Sequence, residues 1–410
     1  MEPYIRFVHA SDIHLGAPFQ TLLGLDERME RMAASAIPDA YEALIDLTIR
    51  EEADFLILAG DVFDSRSRTY SAFALFVAGM ERLADHGIPV YVTTGNHDPS
   101  NSWLHDVGQL PDNVRIFDSA EPQRYEFRTD GVLKAVLHGQ GYAHQHEARD
   151  LASAYRPLPD EPLSIGVLHT GLVPDSYAPT SVERLRSTGM DYWALGHVHE
   201  PAILNEYPHI VYSGSPQGLN INQDSPHGAY VVTYAAPNAA PELVYHDLES
   251  FAWRTLAVDI TGITHSHELE NALIERIGVL QGEKDVSYII RFDLFGADTI
   301  ADPLTETDLA QMATHINSRF TGSTWVWVDR IRDSSSPAVD RDAALAADLL
   351  PAYVFRAADE LAADPTELGP DFQTLLDEAE IPRPDDAGLA ALLERASFEL
   401  AQELSGGGRS

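Results

Sequence analysis

Residues Leu195 to Pro201 spell LGHVHEP, and the chain holds two further H-x-H triplets, His144/His146 in AHQHEA and His265/His267 in THSHEL. Spacing alone does not separate metal ligands from ordinary histidines; the company they keep does. DIH places Asp12 two residues from His14, GDVFD places Asp61 three from Asp64, GNHD groups Asn96, His97 and Asp98, and GVLHTG carries a lone His169. In extended chain, residues two apart face the same side, so Asp12 with His14 and His197 with His199 are expected to point together. Asp12, His14, Asp61, Asn96, His169, His197 and His199 supply seven donor side chains, more than one ion needs and the right number for two sharing a bridging carboxylate. With no cysteine in the chain, this mixture of imidazole nitrogen, carboxylate and amide oxygen suits Mn, Fe or Zn better than Mg or Ca. Two ions about 3.5 to 4 Å apart serve phosphoester hydrolysis, generating hydroxide at neutral pH and stabilising the attacking and leaving oxygens.

These donors all follow short apolar runs. IRFVHA, FLILAG, IPVYVTT, LKAVLHG, SIGVLHT, DYWALG and HIVYSG read as strands, rich in branched residues and closed by Gly, Ser or Thr. Between them Asp26 to Glu52 and Ser71 to His86 have helical periodicity. Alternation of this kind predicts an α/β fold with a buried sheet, and open α/β sheets bind ligands at the carboxyl ends of their strands. Five strand ends delivering coordinating residues are thus expected to converge on one site. The expected division is a metal-binding domain over 1–250, a small α+β domain over 251–335, an acidic helical region over 336–404 broken at LPAY, GPDF and IPRPDD, and a flexible tail over 405–410.

With 27 basic and 64 acidic residues among 410, the net charge is −37, and only Lys134 and Lys284 are lysines. Such a surface repels phosphate, which argues against a protein that holds nucleic acid unaided at low salt. It also fits a saline habitat, where self-repulsion is screened. MEPYIRFVHASD has no secretory pattern and no apolar run is long enough to span a bilayer, so a soluble cytoplasmic protein without membrane association is expected.

D-x-H, G-D-x-x-D, G-N-H-D, a lone His and G-H-x-H, in this order over about two hundred residues, resemble the calcineurin-like metallophosphoesterase superfamily. The resemblance implies a four-layer α/β/β/α sandwich of two sheets flanked by helices. It implies that Asp12, His14 and His199 bind one ion, that Asn96, His169 and His197 bind a second, and that Asp61 bridges them. His97 would stay off the metals, facing the phosphate and assisting the leaving oxygen, with Asp64 as its hydrogen-bond partner. A carboxylate there makes physical sense, since it orients the imidazole and raises its pKa. Asp98 is expected to cap the turn rather than react.

FVHASDIHLG, LAGDVFDSRSRTYSAF and YSGSPQG, together with a small α/β cap after the core, resemble the SbcD-like and YhaO-like branch over roughly residues 1 to 330. That branch implies a manganese-dependent DNA exonuclease or endonuclease in DNA repair, working with an SbcC-like coiled-coil ATPase. Two features depart from it: the cap is not rich in Lys or Arg, and the acidic C-terminal helices match no known motif. The latter are expected to dock the partner or stabilise a homodimer. Two other functions fit the same motifs, a phosphodiesterase or phosphatase acting on a nucleotide or small ester, and a mainly structural dimerising subunit of an ATPase complex. His144/His146 and His265/His267 are expected at polar helix starts on the surface, and His9 and His138 as ordinary hydrogen-bonded histidines. Ser65, Arg66 and Arg68 are candidate contacts to a substrate backbone, and YSGSPQG is either a bracing turn or a phosphate-touching loop.

Overall fold

The computed structural model describes residues 3–19, 27–65, 69–103, 110–117, 120–172, 177–284, 286–300, 304–337, 341–347 and 349–363, with scattered positions from 368 to 404. Arg66, Arg68, the GPDF and IPRPDD breaks and the 405–410 tail lie outside them. The chain divides into two compact units, Met1–Arg254 with Val286–Ile289, and Thr255–Asp285 with Ile290–Ser410.

The first unit is two six-stranded sheets. One carries β1 (Ile5–Ala10), β2 (Phe55–Ala59), β3 (Val90–Thr93) and β4 (Val114–Ile116) in parallel; the other carries β5 (Gln123–Thr129), β6 (Val132–Gly139), β7 (Ser164–His169), β8 (Tyr192–Gly196), β9 (Ala202–Glu206) and β10 (His209–Tyr212). The first sheet is completed by antiparallel β11 (Gly228–Tyr234) and β12 (Glu242–Asp247), in the order β12-β11-β1-β2-β3-β4. The second runs β5-β6-β7-β8-β10-β9, with β6, β7, β8 and β10 parallel.

Strand alternation sorts the core into layers. From β1, Ile5 and Phe7 turn toward the second sheet, meeting Phe55 and Ile57 of β2 and Leu137, Ile165, Val167 and Ala194 across the gap. Val8 and Ala10 turn the other way, onto α1 (Glu27–Arg50) and α2 (Tyr70–Asp85), where Leu44, Phe76 and Met80 cover them. On the far side Trp193, Leu195 and Ile210 are covered by Leu151, Tyr155, Leu185 and Met190, from a single 3-10 turn, the short helix Val182–Ser187 and loops. The architecture is the expected four-layer α/β/β/α sandwich, its second outer layer thinner than its first. Phe7 stacks on Phe55 and meets Tyr192 edge-on, fastening the two sheets through aromatic rings.

The second unit contains most of a three-stranded sheet ordered Phe251–Asp259, Ser287–Phe295, Val326–Asp333, with helices Ser266–Glu283 and Glu306–Asn317. His265 is the N-cap of the first of these helices in a capping box with Glu268, so this H-x-H pair does open a helix. Further on lie Arg341–Ala347 and Leu350–Ala363. Pro351 stands in the first turn of the latter, where its missing N–H costs nothing, so the helical region breaks at LPAY as expected, with the second helix starting there. Among the described residues no helix is long and apolar enough to cross a membrane.

His9 ties the sheets together next to the site: its Nδ1 lies 3.1 Å from the Tyr192 hydroxyl and its Nε2 3.2 Å from the Leu195 carbonyl oxygen. Burial pushes its pKa down to about 3 from the ordinary 6.5. The unfolded chain therefore takes up a proton first, so this residue's contribution is complete above about 6.5 and is lost as pH falls toward 3. Replacing it by Leu leaves the Tyr192 hydroxyl and the Leu195 carbonyl without this partner, at about 1–3 kcal/mol. Urea unfolding of His9→Leu is expected to show lower stability at pH 7.5 but a shallower loss between pH 6 and about 4, by at most about 1.4 kcal/mol per pH unit.

Candidate metal centre

Beyond the last paired residues, the tails of β1 and β2 continue side by side. Asp12 N–H donates to Gly60 O (3.0 Å), His14 N–H to Asp61 O (3.0 Å), Leu15 N–H to Val62 O (2.8 Å), and Asp64 N–H returns to Leu15 O (3.1 Å). Along these tails Asp12 (φ 53°), His14 (φ 53°) and Asp61 (φ 51°) have left-handed backbone, and His197 (φ 103°) follows β8 in the same half of φ space. This corrects the expectation of strand alternation. Asp12 with His14, and His197 with His199, lie in irregular chain past the strand ends, and left-handed turns aim them inward. Strain of this kind at non-glycine residues clusters at functional sites.

Asp98 locks the arrangement. Its carboxylate accepts the N–H groups of Asp61 (3.2 Å), Val62 (2.7 Å), Phe63 (3.3 Å) and Gly95 (2.8 Å), joining the G-D-x-x-D loop to the G-N-H-D loop. Burial and the neighbouring Asp61 charge push its pKa up, while the N–H donors pull it back. It caps, as expected, and it caps two loops at once.

The donors meet at the centre. Donor atoms of Asp12, His14 and His199 lie within 4.8 Å of one another, as do those of Asp12, Asp61 and His169. Asn96 Oδ1 is 3.0 Å from His169 Nε2 and 3.2 Å from His197 Nδ1. Asp61 Oδ2 sits between the two sets, 3.4 Å from His169 Nε2 and 4.0 Å from His14 Nε2. Both Asp12 oxygens accept the His197 backbone N–H, at 3.2 and 2.9 Å. All seven donor side chains are thus brought together, and Asp12, His14, Asp61, Asn96 and His169 are buried.

His97 Nδ1 lies 3.5 Å from Asp64 Oδ2, and the His97 backbone N–H donates to Asp61 Oδ1 at 2.8 Å. Asp64 raises the His97 pKa, against burial. The ring is about one third exposed, so it faces the opening while Asp64 stands behind it. Ser65 Oγ is 3.5 Å from the same nitrogen, on the exposed side.

The donor set fits divalent ions. His169 donates its Nδ1–H to the Ala59 carbonyl (3.0 Å), the arrangement that leaves Nε2 as a lone pair for a metal. That lone pair points at the Asn96 oxygen and the Asp61 carboxylate, a repulsive grouping without a cation among them. A proton can take that place: burial opposes charge on His169, but Asp61 overrides it and pushes the pKa up to about 9. The same contact, with His169 first and His14 second, outweighs burial and holds the Asp61 carboxyl well below the usual range. His14, pushed down to about 4 by burial and by His199, has a buried Nδ1 with no hydrogen-bond partner.

The motif glycines are explained by the His169 ring. A Cβ on Gly60 would lie 2.5 Å from its Nδ1, one on Gly196 3.0 Å from the same atom, and one on Gly95 2.9 Å from its Cδ2 and 2.3 Å from Asp61 Oδ1.

Several neighbours had no signal in the sequence. Tyr177 packs tilted against His197 with ring centroids 4.9 Å apart, and His146 lies against Tyr177 at 5.9 Å. AHQHEA is an exposed loop and not the expected helix start, because Ala178 N–H bonds back to Glu147 O and pairs it with the Tyr177 loop. Gln223 Nε2 is 2.7 Å from His199 Nδ1. YSGSPQG is a brace: Ser213 bonds Ser11, Ser215 N–H bonds His199 O, and Gln217 bonds Phe251 O, all three side chains buried. His138 pairs with Glu161 at 2.8 Å and is buried, as an ordinary histidine.

Residues 5–201 match the profile of the calcineurin-like phosphoesterases. The chain carries a calcineurin-like metallophosphoesterase domain, of a hydrolase superfamily that binds two divalent metals. It is 34% identical over 262 residues to the uncharacterized metallophosphoesterase YhaO of Bacillus subtilis, covering 63% of this chain and 64% of that one. It is 28% identical over 233 residues to the DNA double-strand break repair protein Mre11 of Methanopyrus kandleri (52% and 49% covered), and 24% over 257 residues to SbcD of the SbcCD nuclease of Escherichia coli K12 (53% and 62%). The chain spans between about half and under two thirds of the length of these relatives.

Gly95→Ala tests the packing around His169, since Gly95 has no left-handed backbone to lose. The variant is expected to fold, by circular dichroism, yet to lose most bound metal by elemental analysis after dialysis.

Proposed function

We propose that this chain is a two-metal phosphodiesterase acting on DNA, a manganese-dependent exonuclease or endonuclease of SbcD type that works in repair with an SbcC-like ATPase. The observation that carries the metal chemistry is the Asp61 carboxylate placed between two histidine-containing donor sets. Asp12, His14 and His199 would hold one ion, Asn96, His169 and His197 the other, with Asp61 shared. Bound there, the two ions supply a nucleophilic hydroxide at neutral pH and neutralise charge on the phosphate. The chain's own residues do the rest. Asp98 and the paired tails keep the donors in place before substrate arrives. His97, at the mouth of the centre with its pKa raised by Asp64, would donate a proton to the departing sugar oxygen. In this reading His97 pairs with Asp64 instead of joining the ligands.

DNA as substrate is supported by the names of two relatives, an Mre11 and the SbcD of a nuclease. The charge of −37 supports the ATPase as the partner that supplies cationic surface. The same charge favours, as a second reading, a small phosphodiester or nucleotide substrate that needs no extended cationic track.

Labelled duplex and single-stranded DNA, bis-p-nitrophenyl phosphate and cyclic nucleotides, offered with Mn across a salt range and with or without an SbcC-like ATPase, separate these functions. DNA cleavage stimulated by the ATPase is expected; hydrolysis of the small esters alone would move the assignment to the second reading. His97→Ala is expected to lower turnover by about 10²–10⁴-fold with metal content unchanged, and loss of both would place His97 among the ligands.

A further inference from the structure

The outer nitrogens of the two best-defined imidazoles are braced in opposite senses. His169 gives its Nδ1–H to a carbonyl, which aims its Nε2 at the centre. His199 Nδ1 instead faces the Gln223 side-chain amide at 2.7 Å. Which end of that amide points at His199 follows from its other bond: Gln223 Oε1 accepts the Leu219 backbone N–H at 2.7 Å. A backbone N–H can only donate, so reversing the amide would set NH₂ against N–H. Gln223 therefore presents a donor, and His199 Nδ1 accepts. A ring nitrogen that accepts carries no proton, so the His199 proton sits on Nε2, facing His14 Nε2 at 3.2 Å. His14 Nε2 accepts it, which puts the His14 proton on the buried, partnerless Nδ1.

We infer that Gln223 is a latch on the Asp12–His14–His199 half-site: it holds His199 in the tautomer that cannot ligate through Nε2, so an ion enters only when the Gln223 amide lets go. The inference rests on His199 being a ligand of that half-site. On loading, the ring proton moves from Nε2 to Nδ1 through solvent with no net release, and the amide turns away, giving up its bond to Leu219 or to His199. The two half-sites then fill unequally. The latched half-site takes its ion weakly and exchanges it readily. Gln223 is in this sense a positioning residue for His199, set against metal instead of for it.

Two variants and one spectrum test this. Gln223→Glu keeps the shape: one oxygen still accepts from Leu219, and the other accepts a hydrogen bond from His199 Nδ1–H, fixing the ligating tautomer. Gln223→Leu removes the latch without adding charge. Calorimetric titration of Mn²⁺ into the metal-stripped full chain is expected to show a tight and a weak ion in the wild type. The weak one should tighten about 10-fold or more in Gln223→Glu and also tighten in Gln223→Leu. A Gln223 that merely braced the ring would make Gln223→Leu bind more weakly, and that result overturns the latch. Nitrogen NMR of labelled histidine in the metal-free wild type is expected to show the proton of His199 on Nε2; finding it on Nδ1 overturns the latch whether or not the variants fold. Two ions bound by the wild type with equal affinity, unchanged in both variants, overturns the latch and leaves the site reading standing. A wild-type chain that binds no ion overturns both.

Discussion

A residue with a Cβ costs on the order of 1–2 kcal/mol in left-handed backbone, and Asp12, His14 and Asp61 all adopt it within one cluster. That cost is tolerable only where surrounding bonds leave the chain no alternative. Here the β1 and β2 tails hold each other through backbone hydrogen bonds, and the Asp98 carboxylate gathers four N–H groups from the loops on either side. The parallel pairing of β1 with β2 sets the register from which those tails emerge. The helices α1 and α2 matter to the site chiefly because they bury that pairing from outside.

The electrostatics follow from the same crowding. Asp12, Asp61, Asp64 and Asp98 are buried within a small volume that also holds His14, His97 and His169. Buried carboxylates in such number need positive charge, from protons or metal. The upward push on His169 and the downward hold on Asp61 are two faces of one demand. Over the whole surface the charge is strongly negative, so the centre attracts cations from a distance and phosphate only once cations are in place.

Much of this is legible in the sequence. Buried parallel strands are near-continuous apolar runs, and FLILA, SIGVLH and YWALG are unmistakable as such. Strands β4, β5 and β9 are not legible, because β4 is three residues long, β5 alternates with polar residues, and β9 is a short AILNE run at a sheet margin. The seven donors are found from their types and their places at strand ends, yet strand alternation is the wrong geometric reason for pairing Asp12 with His14 and His197 with His199, since Asp12, His14 and His197 have positive φ. Asp98 is recognisable as a cap but not as a link between loops, since its partners lie 35 to 37 residues away. Gln223 and Tyr177 sit in loops without periodicity, and loop residues reveal their partners only once the strands that carry them are placed.

The glycines of the motifs show why the donors come at strand ends and nowhere else. Gly60, Gly95 and Gly196 each precede a donor-bearing turn; Gly60 and Gly95 face the ring of His169 at distances no Cβ would tolerate, and Gly196 faces it at a tight 3.0 Å. Gly196 also brings β8 against the end of β2, since a Cβ there would meet Ala59 O at 2.1 Å. That same carbonyl fixes the His169 tautomer. The two sheets therefore meet closely where one backbone oxygen of the first faces one imidazole of the second. A cage assembled from both sheets is closed tightly at that point, and the space a larger residue would need is already filled by His169.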